Sequence, residues 1–293
     1  MSGRPTARVW LQAARPRTLP AAIAPVVVGT AAATQVVAWR AAAALVVALA
    51  VQVAVNFAND YFDGVRGVDT PDRLGPRRAV ASGDVSPSAM KVALALALGV
   101  AAVAGLALAA AVGWELVAVG ALCFAAALGY SGGPRPYASA GLGEVFVFVF
   151  FGLVATVGSQ YVHDERIARV AVVAAVPIGL LATAILVVNN LRDIPTDRTA
   201  GKVTLAVRLG EATTRRLFTG LVITAGLLAF AVCAVVGSCW PLLALAYGPL
   251  AWTAVAPVLR GATGLGLIPS LAATGRAELV YALGMAAGLV VAR

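Results

Sequence analysis

Apolar residues run along this chain in long blocks separated by short polar breaks. Blocks at 19–37, 41–60, 89–112, 114–131, 142–162, 168–190, 217–237, 240–258 and 277–292 each predict a membrane-spanning helix, because about 20 apolar residues are needed to cross the hydrocarbon core. Gly113 alone divides the third block from the fourth, and Gly237 and Ser238 divide the seventh from the eighth, so both pairs are expected to form tight hairpins. Two longer polar segments, 61–88 and 191–216, follow the second and sixth blocks. The expectation is an all-α, polytopic protein of about nine transmembrane helices. No linker or low-complexity spacer interrupts the blocks, so residues 1–293 are read as a single bundle.

Composition supports that reading. Of 293 residues, 61% are hydrophobic and 12% charged, with a mean hydropathy of +0.91; a soluble domain of this length would need a charged coat. The net charge of +9 would suit nucleic acid in a soluble protein, but in a membrane protein basic residues gather in cytoplasmic loops, and no nucleic-acid partner is expected. With the N-terminus on the cytoplasmic side, 18 of the 22 lysines and arginines fall in inside segments, leaving Arg40, Arg166, Arg169 and Arg293 outside. Cys123, Cys233 and Cys239 lie in or beside apolar runs without ligand spacing and are read as packing residues.

The acidic residues carry the chemistry. Asp60, Asp63, Asp69, Asp72 and Asp84 fall at or after the end of the second block, and Asp193 and Asp197 just after the sixth. Both clusters then face the cytoplasm. They also mark a weak four-helix repeat, roughly 15–135 and 140–260, followed by the last helix at 277–292, which would bring both clusters to one end of the bundle. If the second helix continues through its cluster, Asn56, Asn59, Asp60 and Asp63 share one face. An all-oxygen set of this kind suits Mg²⁺. Asp193 and Asp197 repeat the pair of carboxylates, and together the clusters could hold two ions around one diphosphate. Arg66, Arg73, Arg78, Arg192, Arg198 and Lys202 lie among these acids, as the charge on a diphosphate leaving group requires.

These residues resemble the UbiA superfamily of intramembrane aromatic prenyltransferases. The resemblance rests on Ala14–Pro20 (ARPRTLP), Asn56–Gly83 (NFANDYFDGVRGVDTPDRLGPRRAVASG), Tyr130–Gly152 (YSGGPRPYASAGLGEVFVFVFFG) and Asn189–Gly210 (NNLRDIPTDRTAGKVTLAVRLG), and so spans nearly the whole chain. The GPRR and GLGEVFVFVFFG stretches look like the branch that acts on 1,4-dihydroxy-2-naphthoate. The resemblance implies nine helices around a central cavity open to the cytoplasmic side and to lipid, in a bacterial cell membrane. It implies transfer of a polyprenyl group from a polyprenyl diphosphate to 1,4-dihydroxy-2-naphthoate, with loss of CO₂ and diphosphate, giving a demethylmenaquinone. It carries Asn56, Asn59, Asp60, Asp63, Asp193 and Asp197 over as the Mg²⁺–diphosphate site. The family's first motif is usually NDxxDxxxD; here position 67 is Gly and the third acid is Asp69, whose metal role is weaker for that reason.

Outside the clusters, Glu144 opens an apolar run near the cytoplasmic end of the fifth helix. A carboxylate there needs a partner, and two readings stand open: it orients or deprotonates the acceptor's phenol, or it pairs with Arg135. Tyr130, Arg135 and Tyr137 lie in a Gly/Pro-rich loop suited to close ligand contact. His163 is expected in a solvated loop. Two other functions are compatible with these residues: the same chemistry on another aromatic acceptor such as 4-hydroxybenzoate, and an ion-coupled secondary transporter. Against the transporter, the carboxylates sit at one mouth, among arginines suited to phosphate. Chain length of the prenyl donor and oligomeric state are not readable from these residues.

Overall fold

The computed structural model describes residues 5–67, 78–134 and 136–293. Asp69, Arg73 and Arg135, all expected at the site, lie outside the described residues, as does any pairing of Glu144 with Arg135. Every regular element among the described residues is helical. Backbone amides have no water partner in hydrocarbon, and helices satisfy them internally.

A short helix α1 (Ala7–Ala14) leads into α2 (Pro20–Ala32) and α3 (Ala38–Val65). Then come α4 (Pro87–Val112), α5 (Glu115–Ser131), α6 (Gly143–Asp164), α7 (Arg169–Thr199), α8 (Leu205–Val236), α9 (Trp240–Leu259) and α10 (Gly264–Val291). Seven of these, α3, α4 and α6 to α10, are long and apolar enough to cross a membrane, while α2 and α5 are shorter apolar helices. The chain is an integral membrane protein. Sequence signals set several boundaries. Ser86 caps α4 by accepting Ala89 N–H at 3.2 Å, with Pro87 in the first turn, where its missing N–H costs nothing. Gly237 ends α8 at φ 73°.

Three boundaries differ from expectation. The polar stretch before the first apolar block forms α1, whose Trp10 ring meets Phe57 edge-on at 5.9 Å. Helix α7 does not stop at its apolar end but runs on through Pro195 to Thr199, carrying Asp193 and Asp197. Helix α10 begins well before 277, because Arg276 and Glu278 are helical residues and not a loop boundary. Glu278 is fully buried.

Helix α7 is the hub: two-thirds of its apolar window is buried, and it packs against α8, α6, α2 and α10. Small residues let the backbones approach, as is usual where lipid gives helices no hydrophobic reason to associate. A Cβ on Gly152 of α6 would lie 2.4 Å from Gly179 Cα of α7, and one on Gly29 of α2 would lie 2.2 Å from the Thr156 carbonyl oxygen of α6. Around the first of these contacts α6 loosens into a π-helical stretch, Phe148–Val154. At the end of α6, Asp164 accepts both N–H and O–H of Thr34. Beside it His163, expected in solvent, is buried and accepts Val37 N–H at Nδ1; its helix runs to Asp164, two residues further than the hydropathy suggested.

Candidate active site

The ends of α3 and α7 meet at one cavity of about 960 Å³. Because α3 is helical through Val65, Asn56, Asn59 and Asp63 fall on its cavity face, and because α7 is helical through Thr199, so do Asn190, Asp193 and Asp197. The two acidic motifs therefore share a single chamber.

Each polar group is held by named partners. Asn56 donates through Nδ2 to the Ala14 carbonyl at 2.9 Å and to Thr18 Oγ1 at 3.0 Å, and Gln52 Nε2 donates to the same Thr18 hydroxyl at 2.8 Å. These bonds leave the Asn56 carbonyl oxygen as the group able to bind a ligand. Asn59 Oδ1 accepts the Ser131 hydroxyl of α5. Arg192, only 2% exposed, grips Asp193 through two bonds of 2.7 Å and also donates to Asn189 Oδ1 at 2.9 Å. Lys202 Nζ lies 3.3 Å from Asp63 Oδ2 and its own N–H donates to the Asp197 carbonyl at 2.8 Å. Arg78 is buried and lines the cavity.

Asp60 stands apart from its neighbours. It was expected as a metal ligand on the shared face, but it does not line the cavity; its two oxygens accept Ala79 N–H at 3.0 Å and Val80 N–H at 2.9 Å. The returning chain is seated closely, for a Cβ on Gly64 would meet the Val80 side chain at 2.8 Å. Asp60 thus anchors the backbone that delivers Arg78. Glu144 likewise lies behind the cavity wall and accepts Asn190 Nδ2 at 3.0 Å. Arg66 stands outside the cavity lining as well: it ties α3 to the end of α5 through the Ser131 and Gly133 carbonyls.

Residues not foreseen include Thr18, Gln52, Asn189 and Asn190, all on the cavity. Gln52 carried a signal, a lone amide inside an apolar block. An aromatic series follows the polar end: Tyr130 meets Tyr137 edge-on at 5.5 Å, Tyr137 stacks on Phe146 at 3.9 Å, and Phe146 on Phe150 at 5.9 Å. All four rings line the cavity. Burial pushes the Tyr137 phenol above its ordinary range, and its hydroxyl donates to the Ala126 carbonyl.

The donor set fits a hard divalent cation. Among the described residues no three of His, Cys, Asp and Glu converge on one point, so a protein cage of the kind calcium uses is absent there. Carboxylates and amide oxygens spread over two helices, with cations between them, suit Mg²⁺ bound by one or two carboxylates and completed by phosphate oxygens and water.

Comparisons with known proteins agree with this geometry. The chain is 50% identical over 283 residues to a protein of Mycobacterium tuberculosis named 1,4-dihydroxy-2-naphthoate octaprenyltransferase, covering 96% of each. It is 37% identical to the protein of that name from Escherichia coli, over 71% of each chain. In fold it is similar to a UbiA homolog from Aeropyrum pernix, with a TM-score of 0.72, 16% identity and coverage of 91% of this chain and 96% of that one. It is also similar to a UbiA homolog from Archaeoglobus fulgidus bound to GPP and Mg²⁺, with a TM-score of 0.64, 17% identity and coverage of 97% and 99%. The model of the UbiA prenyltransferase family matches residues 22–264. With its two acidic helix ends opening on one chamber, the chain belongs to the UbiA prenyltransferase family.

Proposed function

We propose that this chain transfers a polyprenyl group from a polyprenyl diphosphate to 1,4-dihydroxy-2-naphthoate, releasing diphosphate and CO₂ and leading to a demethylmenaquinone. The observation that carries the reading is the Asp63–Lys202 contact, which joins the two acidic motifs across one cavity. The relatives that bear the naphthoate prenyltransferase name supply the acceptor.

In this reading the diphosphate lies at the polar end, where Arg78 and Lys202 donate to its oxygens. Asn56, Asn59, Asp63, Asp193 and Asp197 would hold two Mg²⁺ ions, which when bound would supply the further positive charge that a departing diphosphate needs. Arg192 and Asn189 keep Asp193 in place, and Asp60 keeps Arg78 in place through the Ala79 and Val80 amides. The prenyl tail runs along the apolar wall formed by Phe146, Phe150, Phe151 and Val154. As the allylic C1–O bond breaks, its electron pair leaves on diphosphate, and an electron-rich ring carbon attacks C1; the acceptor's carboxylate then departs as CO₂, and the pair of its ring–carboxylate bond restores the aromatic ring. Water would capture the allylic cation as an alcohol; the apolar wall excludes it.

The chain is read as one bundle of nine spans, with α2 and α5 as the two shorter ones. Its N-terminus and the mouth of the cavity face the cytoplasm, the arrangement that keeps most lysines and arginines inside. The deciding experiment incubates purified protein with Mg²⁺, octaprenyl diphosphate and a panel of aromatic acids, and reads products by mass. A prenylated, decarboxylated naphthalenediol is expected. Product from 4-hydroxybenzoate alone would overturn the assigned acceptor, and no prenylated product at all would overturn the reaction.

A further inference from the structure

The transfer chemistry above leaves one buried carboxylate beside the cavity without a role. Glu144, 6% exposed, sits in the first turn of α6. Its Oε1 accepts Asn190 Nδ2 at 3.0 Å, and its Oε2 is buried with no hydrogen-bond partner among the described residues. Asn190 does line the cavity. On α7 it stands three residues before Asp193 and seven before Asp197, so its amide shares their face.

Tyr130 joins this corner to the diphosphate end. Its ring lies against Gly143, where a Cβ would come 3.5 Å from the ring and 3.7 Å from the hydroxyl oxygen. The phenol is within electrostatic reach of both Glu144 and Asp63. Tyr137 and Phe146 continue the wall from Tyr130 into the membrane.

We infer that this corner is the acceptor subsite. A planar hydroxylated aromatic ring seats against Tyr130, Tyr137 and Phe146, and one of its hydroxyls donates to Asn190 Oδ1. Glu144 is the positioning residue: by taking the Nδ2–H it fixes which end of the Asn190 amide faces the ligand. The choice matters for reactivity. A hydrogen bond given by the phenol raises electron density in its ring, whereas one received from an N–H lowers it. The ring hydroxyl keeps its proton while the ring-carbon–C1 bond forms and the C1–O pair departs with diphosphate. This inference rests on the proposed function only in requiring an aromatic acceptor.

The test compares wild type, Glu144→Ala and Glu144→Gln with octaprenyl diphosphate and three acceptors: 1,4-dihydroxy-2-naphthoate and its two monomethyl ethers. Wild type is expected to prefer the diol over one ether by about tenfold, the worth of one hydrogen bond. In Glu144→Ala the KM for the diol should rise about tenfold, the KM for octaprenyl diphosphate should hold, and the preference over the ether should vanish. Glu144→Gln, whose Oε1 can still accept from Asn190, should restore both. Equal use of both ethers by wild type would sink the inference, as would a Glu144→Ala enzyme that keeps its preference while both KM values climb. Should Glu144→Ala not fold, Asn190→Ser reads the same preference. If wild type prenylates only another phenolic acid, the naphthoate assignment fails, and the same comparison with that acid's methyl ether decides the subsite.

Discussion

Lys202 Nζ lies 3.3 Å from Asp63 Oδ2 although 139 positions separate them in the chain. The contact spans the cavity from the loop after α7 to the last turns of α3, and a cation so placed is available to a phosphate that arrives between them. Replacing Lys202 with Met is expected to raise the KM for prenyl diphosphate by about ten- to a hundredfold, the worth of a charged hydrogen bond. Acceptor KM should hold, and Lys202→Arg should retain most activity. Steady-state kinetics in detergent check all three.

Asp60 and Asp63 lie three residues apart and should respond differently. Asp60→Asn puts an amide NH₂ where two backbone donors, Ala79 and Val80, now meet a carboxylate. The expected cost is about 1–3 kcal/mol of stability, read as a lowered thermal midpoint, with a raised KM for prenyl diphosphate as Arg78 shifts. Asp63→Asn should abolish turnover with little change in that midpoint.

Chelation should separate activity from folding in the same way. Adding EDTA is expected to stop transfer, and excess Mg²⁺ to restore it. The unliganded protein's thermal midpoint should not move, because Asp193 and Asp63 already have Arg192 and Lys202 as partners.

Much of this was legible beforehand. Lipid imposes long apolar runs, and among the described residues each expected block falls on a helix, seven of them long and apolar enough to cross a membrane; Asn56, Asn59 and Asp63, spaced for one helix face, line the cavity. What a one-dimensional pattern hides is where a carboxylate points once the chain turns back. Asp60 has the same type and spacing as its neighbours, and only the return of Ala79 and Val80 to α3 takes it out of the cavity. Glu278 was hidden for a related reason: it lies near the start of the expected last helix at 277–292, where nothing in the pattern separates it from Arg276, yet Arg276 is exposed while Glu278 is buried.

Close helix approach yields a stability prediction. Gly152→Val places a Cβ 2.4 Å from Gly179 Cα, and backbone cannot swing aside as a side chain can. The α6–α7 pair must separate, at an expected cost of about 1–3 kcal/mol or more. Thermal unfolding and size-exclusion in detergent would register it.

Orientation has its own check. Cys239 is exposed in the turn between α8 and α9, on the face that the charge bias assigns to the outside. A membrane-impermeant maleimide added to intact cells should label it, whereas labelling only after lysis would reverse the assigned orientation.

Along α6 the cavity touches Phe146, Phe150, Val154, Gly158 and Val162, a period of four held over sixteen residues. An uninterrupted α-helix overshoots by about 40° at each such step, about 160° over four steps, and would have turned its stripe away from the chamber. The wider turns of Phe148–Val154 absorb that drift. A local unwinding in the middle of the helix thus makes a straight channel wall out of what would otherwise be a spiral, and a long flexible tail can follow one face of it through the depth of the bilayer.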